Sequence, residues 1–372
     1  MMKAEPTHED GQPLSLDIPT SRNTVTVRVI DTTTEMILGV GNIVYPRITG
    51  HTEFIFPSYS FLVEHEPSGR KALFDLGVQK NWEQQAPMII DRIKNNRWSV
   101  KVEKDVVDIL EENGYRGEQI EAVIWSHYHW DHLGNPSRFP SSTAIVVGPG
   151  FKERFFPGGN AAPNSPIKEE YYQGRGLQEI KTEDFSMNIA GFGAFDYFGD
   201  GSFYLLDTPG HATGHLCGLA RTTQDTFIFM GGDIAHHCGE FRPSNHHPIP
   251  SKLFPNPLDL SSVLPCPGSL FTSIHPDGRS DTPYYRIGTW PDGSTAADDL
   301  QEAEKSLKKL EVYDAKADQV FVILAHDPAM RGVIDFFPSD VNRWREKGWG
   351  EKTRWAFLRD FKNAIQFPGR ID

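Results

Sequence analysis

Cysteines are scarce in this chain of 372 residues, which contains only Cys217, Cys238 and Cys266. None of them forms a C-x-x-C pair, and their odd number argues against the disulfide framework of a small secreted protein. No run of about 18 apolar residues is present to span a membrane. The first residues are polar and interrupted by prolines, unlike a signal peptide. We therefore expect a cytoplasmic protein that does not act at a membrane.

Basic clusters are also missing, and 50 acidic residues outnumber 37 lysines and arginines to give a formal net charge of −13. A nucleic acid requires clustered positive side chains to neutralise its phosphates, so the charge balance argues against such a partner. Hydrophobic residues make up 38% of the chain, which is enough to build a globular core. The partner class that remains is a small molecule, and the aromatic C-terminal region would also suit a homodimer contact.

The order of apolar patterns predicts a single domain. Residues 1–23 have almost no periodic apolar pattern and are predicted to form a flexible N-terminal arm. In residues 24–372, strand patterns dominate the first half, and helices are predicted at 102–115, 296–312 and about 353–366. Strands are predicted from TVTVRVIDTT, SYSFLVEHE, KALFDLG, AVIWS, TAIVVG, FYLLDT, LCGLART, TFIFMGGD and QVFVILAH. The region 238–292 is rich in proline with little periodicity, which predicts an insertion that shapes a binding pocket.

The segment after AVIWS reads HYHWDHLGN and carries four polar side chains of the types that bind metal ions. They are His127, His129, Asp131 and His132. Neutral imidazoles and carboxylates are the ligands that hold zinc and similar divalent ions. Four of them in six residues are difficult to place in a core, so the segment predicts a metal site.

Further candidate ligands follow other apolar runs, where a rigid strand positions a side chain that can reach a cleft. LLDTPGHATGH supplies His211 and His215, FIFMGGD supplies Asp233, and VFVILAHD supplies His326.

These segments resemble the metallo-β-lactamase superfamily over roughly residues 25–330. H-x-H-x-D-H is the family signature, and TPGHATGH is close to the TPGHTPGH segment of its lactonase and glyoxalase II branches. GGD matches the motif of the bridging aspartate, and LAHD matches the motif of the last histidine. KALFDLG resembles an early strand–turn motif in which Asp75 supports the metal loop. The resemblance implies an α/β fold, an αββα sandwich of two mixed β-sheets flanked by helices.

The resemblance also implies two divalent metal ions. Zinc is the expected metal, and the ligand types would also accept manganese, cobalt or iron. His215 and Asp75 would support the ligands from outside the metal shell. The implied ligands are His127, His129 and His211 for one ion, Asp131, His132 and His326 for the other, and Asp233 for both.

The order of the motifs is most similar to that of the lactonase-type branch. It implies a hydrolase that opens a small cyclic ester or cyclic amide, including benzoxazolinone-type lactams, by attack of a metal-bridging hydroxide. Asp131 or Asp233 would relay a proton to the leaving group. Lactonases that open acyl-homoserine lactones carry a tyrosine three residues after the bridging aspartate, and His236 stands there in this chain. His236 is therefore predicted to make that contact with the substrate carbonyl.

The substrate pocket is predicted from side chains near the metal motifs and in the insertion. The aromatic residues of the insertion would either line the pocket or anchor the long loop to the body, and the sequence leaves both open. The predicted pocket residues are Tyr128, Trp130, His237, Phe241, Phe271 and Tyr284.

Other functions of the same motifs remain open. A glyoxalase II type enzyme would hydrolyse a thioester, and a sulfur dioxygenase of the same fold would bind a single iron through two histidines and one aspartate. A protein that kept the fold only for binding would be expected to have lost ligands, and this chain has all seven. Metal content and oxygen consumption distinguish the hydrolase from the oxygenase.

Overall fold

A computed structural model of the chain describes residues 14–156 and 165–366. None of its helices in those ranges combines the length and the apolar character needed to cross a bilayer. The strands are β1 (Thr26–Asp31), β2 (Glu35–Gly39), β3 (Val44–Tyr45), β4 (Glu53–Phe56), β5 (Tyr59–His65), β6 (Arg70–Phe74), β7 (Ser99–Lys101), β8 (Ala122–Ile124), β9 (Ala144–Val147), β10 (Leu177–Glu179), β11 (Met187–Ile189), β12 (Phe192–Asp196), β13 (Phe203–Asp207), β14 (Leu216–Arg221), β15 (Phe227–Met230), β16 (Lys252–Leu253), β17 (Cys266–Pro267), β18 (Arg286–Ile287) and β19 (Val320–Ile323). The α-helices are α1 (Pro87–Asn95), α2 (Val106–Glu112), α3 (Trp130–Leu133), α4 (Phe151–Phe155), α5 (Glu169–Tyr172), α6 (Ser269–Thr272), α7 (Leu300–Ala315), α8 (Trp349–Thr353) and α9 (Lys362–Gln366).

Two mixed six-stranded sheets form the centre of the molecule. The first has the order β1-β5-β6-β8-β9-β10, with parallel pairing from β6 to β10. The second has the order β11-β12-β13-β14-β15-β19, and its only parallel pair among the described strands is β15 with β19. Strands β8, β14, β15 and β19 are buried along their whole length, which explains why they read as continuous apolar runs rather than as alternating patterns.

Apolar side chains from both sheets fill the space between them, and helices cover the two outer faces. Buried residues of α2, α4 and α5 pack on the first sheet, where Leu110, Phe151 and Tyr171 belong to one core cluster. Buried residues of α7, including Leu310 and Tyr313, pack on the second sheet. The layers therefore run helix, sheet, sheet, helix, and the predicted αββα sandwich is confirmed.

Several predicted helices differ in their bounds from the observed ones. The helix predicted at 102–115 is α2, which begins after Asp105 because the Asp105 carboxylate and the Asp108 side chain form a capping box. The helix predicted at about 353–366 is interrupted. It consists of α8, a 3-10 turn over Ala356–Phe361, and α9.

The predicted N-terminal arm is only partly within the described residues, since residues 1–13 lie outside them. Leu14 and Leu16 are buried, and the carbonyl of Leu16 accepts a hydrogen bond from the backbone N–H of Ala190. The Arg221 guanidinium also donates to the carbonyl of Pro19. Residues 14–23 therefore pack on the folded body, in contrast to the expected flexibility, because two leucines are sufficient to anchor a segment without periodicity.

A small antiparallel sheet of order β4-β2-β7, which the sequence analysis did not predict, lies beside the main sandwich together with α1. The proline-rich region 238–292 contributes β16, β17, α6 and β18, and β18 pairs with β3 from the N-terminal half. Its residues Phe241, Leu253 and Phe271 are fully buried. The region is thus packed as part of the body, and with β2, β4 and β7 it surrounds one end of the sandwich.

Candidate metal centre

Five strands end at the same edge of the sandwich, and the predicted site residues follow them. Asp75 comes after β6, His127 after β8, His211 after β13, Asp233 after β15 and His326 after β19. The seven predicted ligands form two groups whose ligand atoms lie within 4.8 Å of one another in each group. The first group is His127, His129, His211 and Asp233, and the second is Asp131, His132, Asp233 and His326.

Three imidazole nitrogens converge in the first group. Nε2 of His211 lies 3.0 Å from Nδ1 of His129 and 3.3 Å from Nε2 of His127. Nitrogens bound to a tetrahedral zinc with bonds of about 2.0–2.1 Å are about 3.3 Å apart. Oδ2 of Asp233 is 3.6 Å from both His127 and His211. The spacing therefore fits a single ion with three histidine ligands and one carboxylate oxygen.

The other oxygen of Asp233 faces the second group. Oδ1 of Asp233 lies 3.1 Å from Nε2 of His132 and 3.1 Å from Nε2 of His326. Oδ2 of Asp131 lies 3.4 Å from the same nitrogen of His326. Because Asp233 presents one oxygen to each group, it has the position of a bridging ligand.

The hydrogen bonds of the second group show that it fits a cation. Nδ1 of His326 donates to the carbonyl of Pro57 at 2.7 Å, and Nδ1 of His132 donates to Asp75 at 2.8 Å. Within the described part of the chain, Nε2 of His132 and Oδ1 of Asp233 are buried without a hydrogen-bond partner. Burial lowers the pKa of His132, but Asp233 and Asp75 outweigh it and raise that pKa well above its ordinary value. A cation between His132 and Asp233 would satisfy both buried atoms, and a metal ion bound there would replace a proton.

Burial favours the neutral form of the three histidines in the first group. Burial is the main cause that lowers the pKa of His127 and His211 well below the ordinary value, and it lowers that of His129 to about 4. A neutral imidazole keeps a lone pair for a metal ion near neutral pH. The electrostatics of this group therefore agree with its geometry.

Asp75 and His215 support the ligands through hydrogen bonds. Asp75 has a φ of 59°, which aspartate tolerates better than most residues, and its carboxylate accepts from the backbone N–H of Ser126 at 2.7 Å and from Nδ1 of His132. His215 contacts the hydroxyl of Thr208 through Nδ1 at 2.7 Å and accepts from the backbone N–H of Asp233 through Nε2 at 3.1 Å. Both nitrogens of His215 are therefore engaged, and neither is left for a metal.

The loop that carries His211 is fixed against the start of α7. Gly210 has a φ of 121°, and a Cβ at this position would lie 2.0 Å from the backbone nitrogen of Ala303. The backbone N–H of Asp298 donates to the carbonyl of His211 at 3.0 Å, and the Asp298 carboxylate accepts from the backbone N–H of Thr213 at 2.9 Å. Only glycine at position 210 allows this close approach.

The adjacent residues His236 and His237 point to opposite sides. Both backbone N–H groups donate to one buried carboxylate oxygen of Glu240, at 2.7 and 2.9 Å. Nε2 of His236 lies 3.4 Å from Asp233, and its contact with a substrate carbonyl stays a prediction. His237 instead contacts Asp360 at 3.2 Å and lines a separate cavity of about 370 Å³. The prediction that His237 lines the substrate pocket is therefore wrong, because the turn around Glu240 directs its ring away from the metal ligands.

A cavity of about 170 Å³ lies directly over the metal ligands. Tyr128 and Trp130, two of the predicted pocket residues, line it. Phe241, Phe271 and Tyr284 do not, and each is at most 1% exposed in the core beneath the insertion. Their prediction as pocket residues is wrong, because they anchor the long loop to the body, which was the alternative that the sequence left open.

Most of the cavity wall was missed by the sequence analysis. One part comes from β2, β4, α1 and the turn before β7, and the other from the segment that leads to α7. The short apolar runs in EMILG and EFIF are a signal that could have indicated two strands here. The missed residues are Leu38, Asn42, Ile43, Phe56, Arg92, Trp98, Trp290, Thr295, Ala296, Ala297 and Asp298.

Comparisons with known proteins agree with this geometry. The model of the metallo-beta-lactamase superfamily matches residues 55–250. The chain is 45% identical over 358 residues to "Gamma-lactamase FDB1" of Fusarium pseudograminearum (strain CS3096), covering 92% of this chain and 84% of that protein. It is 41% identical over 365 residues to "Metallo-hydrolase mfmC" of Annulohypoxylon moriforme, covering 95% and 92% of the two chains.

Among solved structures, the fold is similar to that of an N-acyl homoserine lactone hydrolase with the product N-hexanoyl-L-homoserine bound at its catalytic metal center. The TM-score is 0.56 at 17% sequence identity, and the match covers 86% of this chain and 99% of that chain. This similarity concerns the fold alone.

Proposed function

This chain belongs to the metallo-beta-lactamase superfamily and is a metal-dependent hydrolase, and on that basis we propose that it opens a small lactam or lactone with two divalent ions. The observation that carries the proposal is the pair of ligand groups that share Asp233, one carboxylate oxygen facing each group. The relatives named gamma-lactamase support a cyclic amide as the substrate class.

In this proposal the residues of the first group would hold one ion and those of the second group the other, with Asp233 belonging to both groups. Two such ions would supply a water activated near neutral pH and a Lewis acid for the carbonyl oxygen. His236 donates a hydrogen bond to the oxygen of the scissile carbonyl as charge develops on it, since its ring lines the cavity beside Asp233. Asp131 would accept the proton of the attacking water and pass it to the leaving nitrogen or oxygen, since its side chain lines the cavity and is 14% exposed.

The size and the lining of the cavity favour a compact, planar substrate. Its volume of about 170 Å³ is below the roughly 300–1,000 Å³ that is usual for drug-sized ligands. Three indole rings, those of Trp98, Trp130 and Trp290, surround the space together with Phe56. A benzo-fused five-membered lactam or lactone of the benzoxazolinone type has the flat apolar ring that such walls accommodate, whereas a long acyl chain exceeds the space.

The test is to measure metal content and activity on the same purified sample. We expect about two metal ions per chain by plasma mass spectrometry, and ring opening of 2-benzoxazolinone or phthalide that is faster than hydrolysis of a long-chain acyl-homoserine lactone or of a glutathione thioester. Asp233→Asn is expected to reduce both metal content and activity, while Asp360→Asn, a carboxylate outside the cavity over the metal ligands, is the matched control. One iron per chain with oxygen uptake on a persulfide would contradict the proposal and indicate the oxygenase.

A further inference from the structure

The side chain of Arg92 lines the cavity over the metal ligands and is held there by Trp98. Arg92 lies in the last turn of α1, and the chain then reverses, so that the backbone N–H of Trp98 donates to the carbonyl of Ile93 at 3.0 Å. The reversal passes through Arg97, which has a φ of 56°. It places the guanidinium carbon of Arg92 5.5 Å from the centre of the Trp98 ring, within the distance of a cation–π contact.

Arg92 differs from the other arginine near the cavity in having no acidic partner. Arg154 is paired with Asp298 at the rim and also donates to Thr213. Arg92 has no ion pair and no side-chain hydrogen bond within residues 14–156 and 165–366, although it is exposed. The indole Nε1 of Trp98 is also buried without a hydrogen-bond acceptor in the same ranges. The guanidinium of Arg92 therefore presents N–H donors to the cavity for which the described residues supply no acceptor.

We infer that Arg92, stacked on Trp98, is a specificity-determining residue that binds a carboxylate on the part of the substrate remote from the scissile bond. A guanidinium presents its N–H groups in a planar fork that matches the two oxygens of a carboxylate. Contact with the face of an indole ring orients the guanidinium plane and leaves its N–H groups available to donate to such an acceptor. The charge also matters, because a local positive group offsets the net charge of −13 for an approaching anion.

The inference rests on the proposed function and adds to it a substrate class, small benzo-fused lactones or lactams that carry an acidic group. The ring would lie between Trp98 and the other aromatic walls, with its carbonyl toward the metal ligands and its carboxylate toward Arg92. The neutral parent compound would still enter the cavity and be opened, but it would lack this contact.

The test compares two substrates that differ in one group, phthalide and the same lactone with a carboxylate on its benzene ring. For the wild-type protein we expect a KM that is lower for the carboxylated lactone. Arg92→Gln is expected to raise the KM for the carboxylated lactone about tenfold or more relative to the KM for phthalide, as loss of a charge-assisted hydrogen bond predicts. Arg92→Lys keeps the positive charge but not the paired N–H groups of the guanidinium, and it is expected to give an intermediate KM for the carboxylated lactone. Lys94→Gln removes the same charge from the same helix outside the cavity lining and is expected to change neither substrate.

The outcomes separate this inference from the proposed function. If the wild-type protein opens neither lactone nor any lactam, the proposed function fails. If it opens both lactones with the same KM, or if Arg92→Gln changes both KM values equally, the proposed function stands and the role of Arg92 is excluded. Activity of Arg92→Gln on phthalide shows in the same sample that the variant is folded and contains its metals.

Discussion

Oδ2 of Asp75 lies 2.8 Å from Nδ1 of His132, and the same carboxylate accepts a hydrogen bond from the backbone N–H of the residue before His127. The Asp75 carboxylate, directly after β6, thus fixes both the tautomer of His132 and the backbone of Ser126, the residue before His127. The contact leaves Nε2 of His132 as the atom that faces Asp233. Asp75 therefore orients a candidate ligand without being one.

Asp75→Asn is predicted to reduce metal affinity rather than to unfold the protein. An amide can donate to Nδ1 of His132 and favour the tautomer in which Nε2 carries the proton and cannot bind an ion. Loss of such a supporting contact typically costs about 10–100-fold in metal affinity or activity. Metal content after dialysis against a competing chelator measures the effect, with Asp91→Asn on the exposed face of α1 as the control. Retention of two tightly bound ions in Asp75→Asn would contradict the assigned role.

His236 and His237 provide a matched pair for testing the residue beside the carbonyl. His236→Ala is predicted to lower kcat by about 100-fold, the usual effect of removing one donor to a developing oxyanion, with a small change in KM. His237→Gln is predicted to leave kcat within about threefold, because its ring contacts Asp360 away from the metal ligands. Steady-state kinetics on the preferred lactam or lactone checks both variants. Equal losses of kcat in the two variants would show instead that His236 acts through the folding of the 233–240 segment.

The candidate ligands could be predicted from sequence because each belongs to a short segment with its own signal. His127, His129, Asp131 and His132 stand together, and the others follow apolar runs that fold as strands β13, β15 and β19 of the second sheet. Strand ends of a sandwich meet at one edge, so the grouping follows from the fold. The structure brings all seven together in the two predicted groups.

The lining of the cavity over the metal ligands could not be predicted in the same way, because tertiary packing decides which side chains reach it. Phe271 and Trp290 both lie in the insertion predicted at about 238–292, yet the first is buried in the core and the second lines the cavity. Nothing local distinguishes them. His236 and His237 are likewise adjacent, and their directions are set by hydrogen bonds to Glu240, which a linear pattern does not reveal.

Gly210→Ala is predicted to destabilise the protein and to disturb the position of His211. A Cβ at residue 210 would lie 2.0 Å from the backbone nitrogen of Ala303, and the φ of 121° is unfavourable for any residue with a side chain. Gly174 is a suitable control, because it has a φ of 73° and no atom lies within 4 Å of the position that a Cβ would take there. Gly174→Ala is expected to cost about 1 kcal/mol from the backbone conformation alone. Chemical denaturation should show a clearly larger loss for Gly210→Ala, and equal losses would mean that the loop can move away from α7.

The stability of the protein is predicted to fall as the pH drops below 6.5, in part because of His51. Burial, followed by the charge of His237, lowers the pKa of His51 from 6.5 to about 4, and Nδ1 of His51 lies 2.6 Å from the hydroxyl of Tyr285. The folded protein keeps His51 neutral in this range, while the unfolded chain binds a proton at the same position. The contribution of the neutral imidazole to the free energy of unfolding is therefore complete above pH 6.5 and is lost as the pH falls toward 4, with a slope of at most about 1.4 kcal/mol per pH unit.

Replacement of His51 should isolate this contribution. His51→Gln keeps a polar side chain near Tyr285 and cannot titrate, so its unfolding free energy is predicted to fall less steeply than that of the wild type between pH 6.5 and 4. Because the metal-site histidines also titrate, the comparison is made on the metal-free form of both proteins by urea denaturation at several pH values. Parallel curves for the two proteins would show that His51 is already protonated in the folded state, and that the Asp360 carboxylate near His237 compensates its burial.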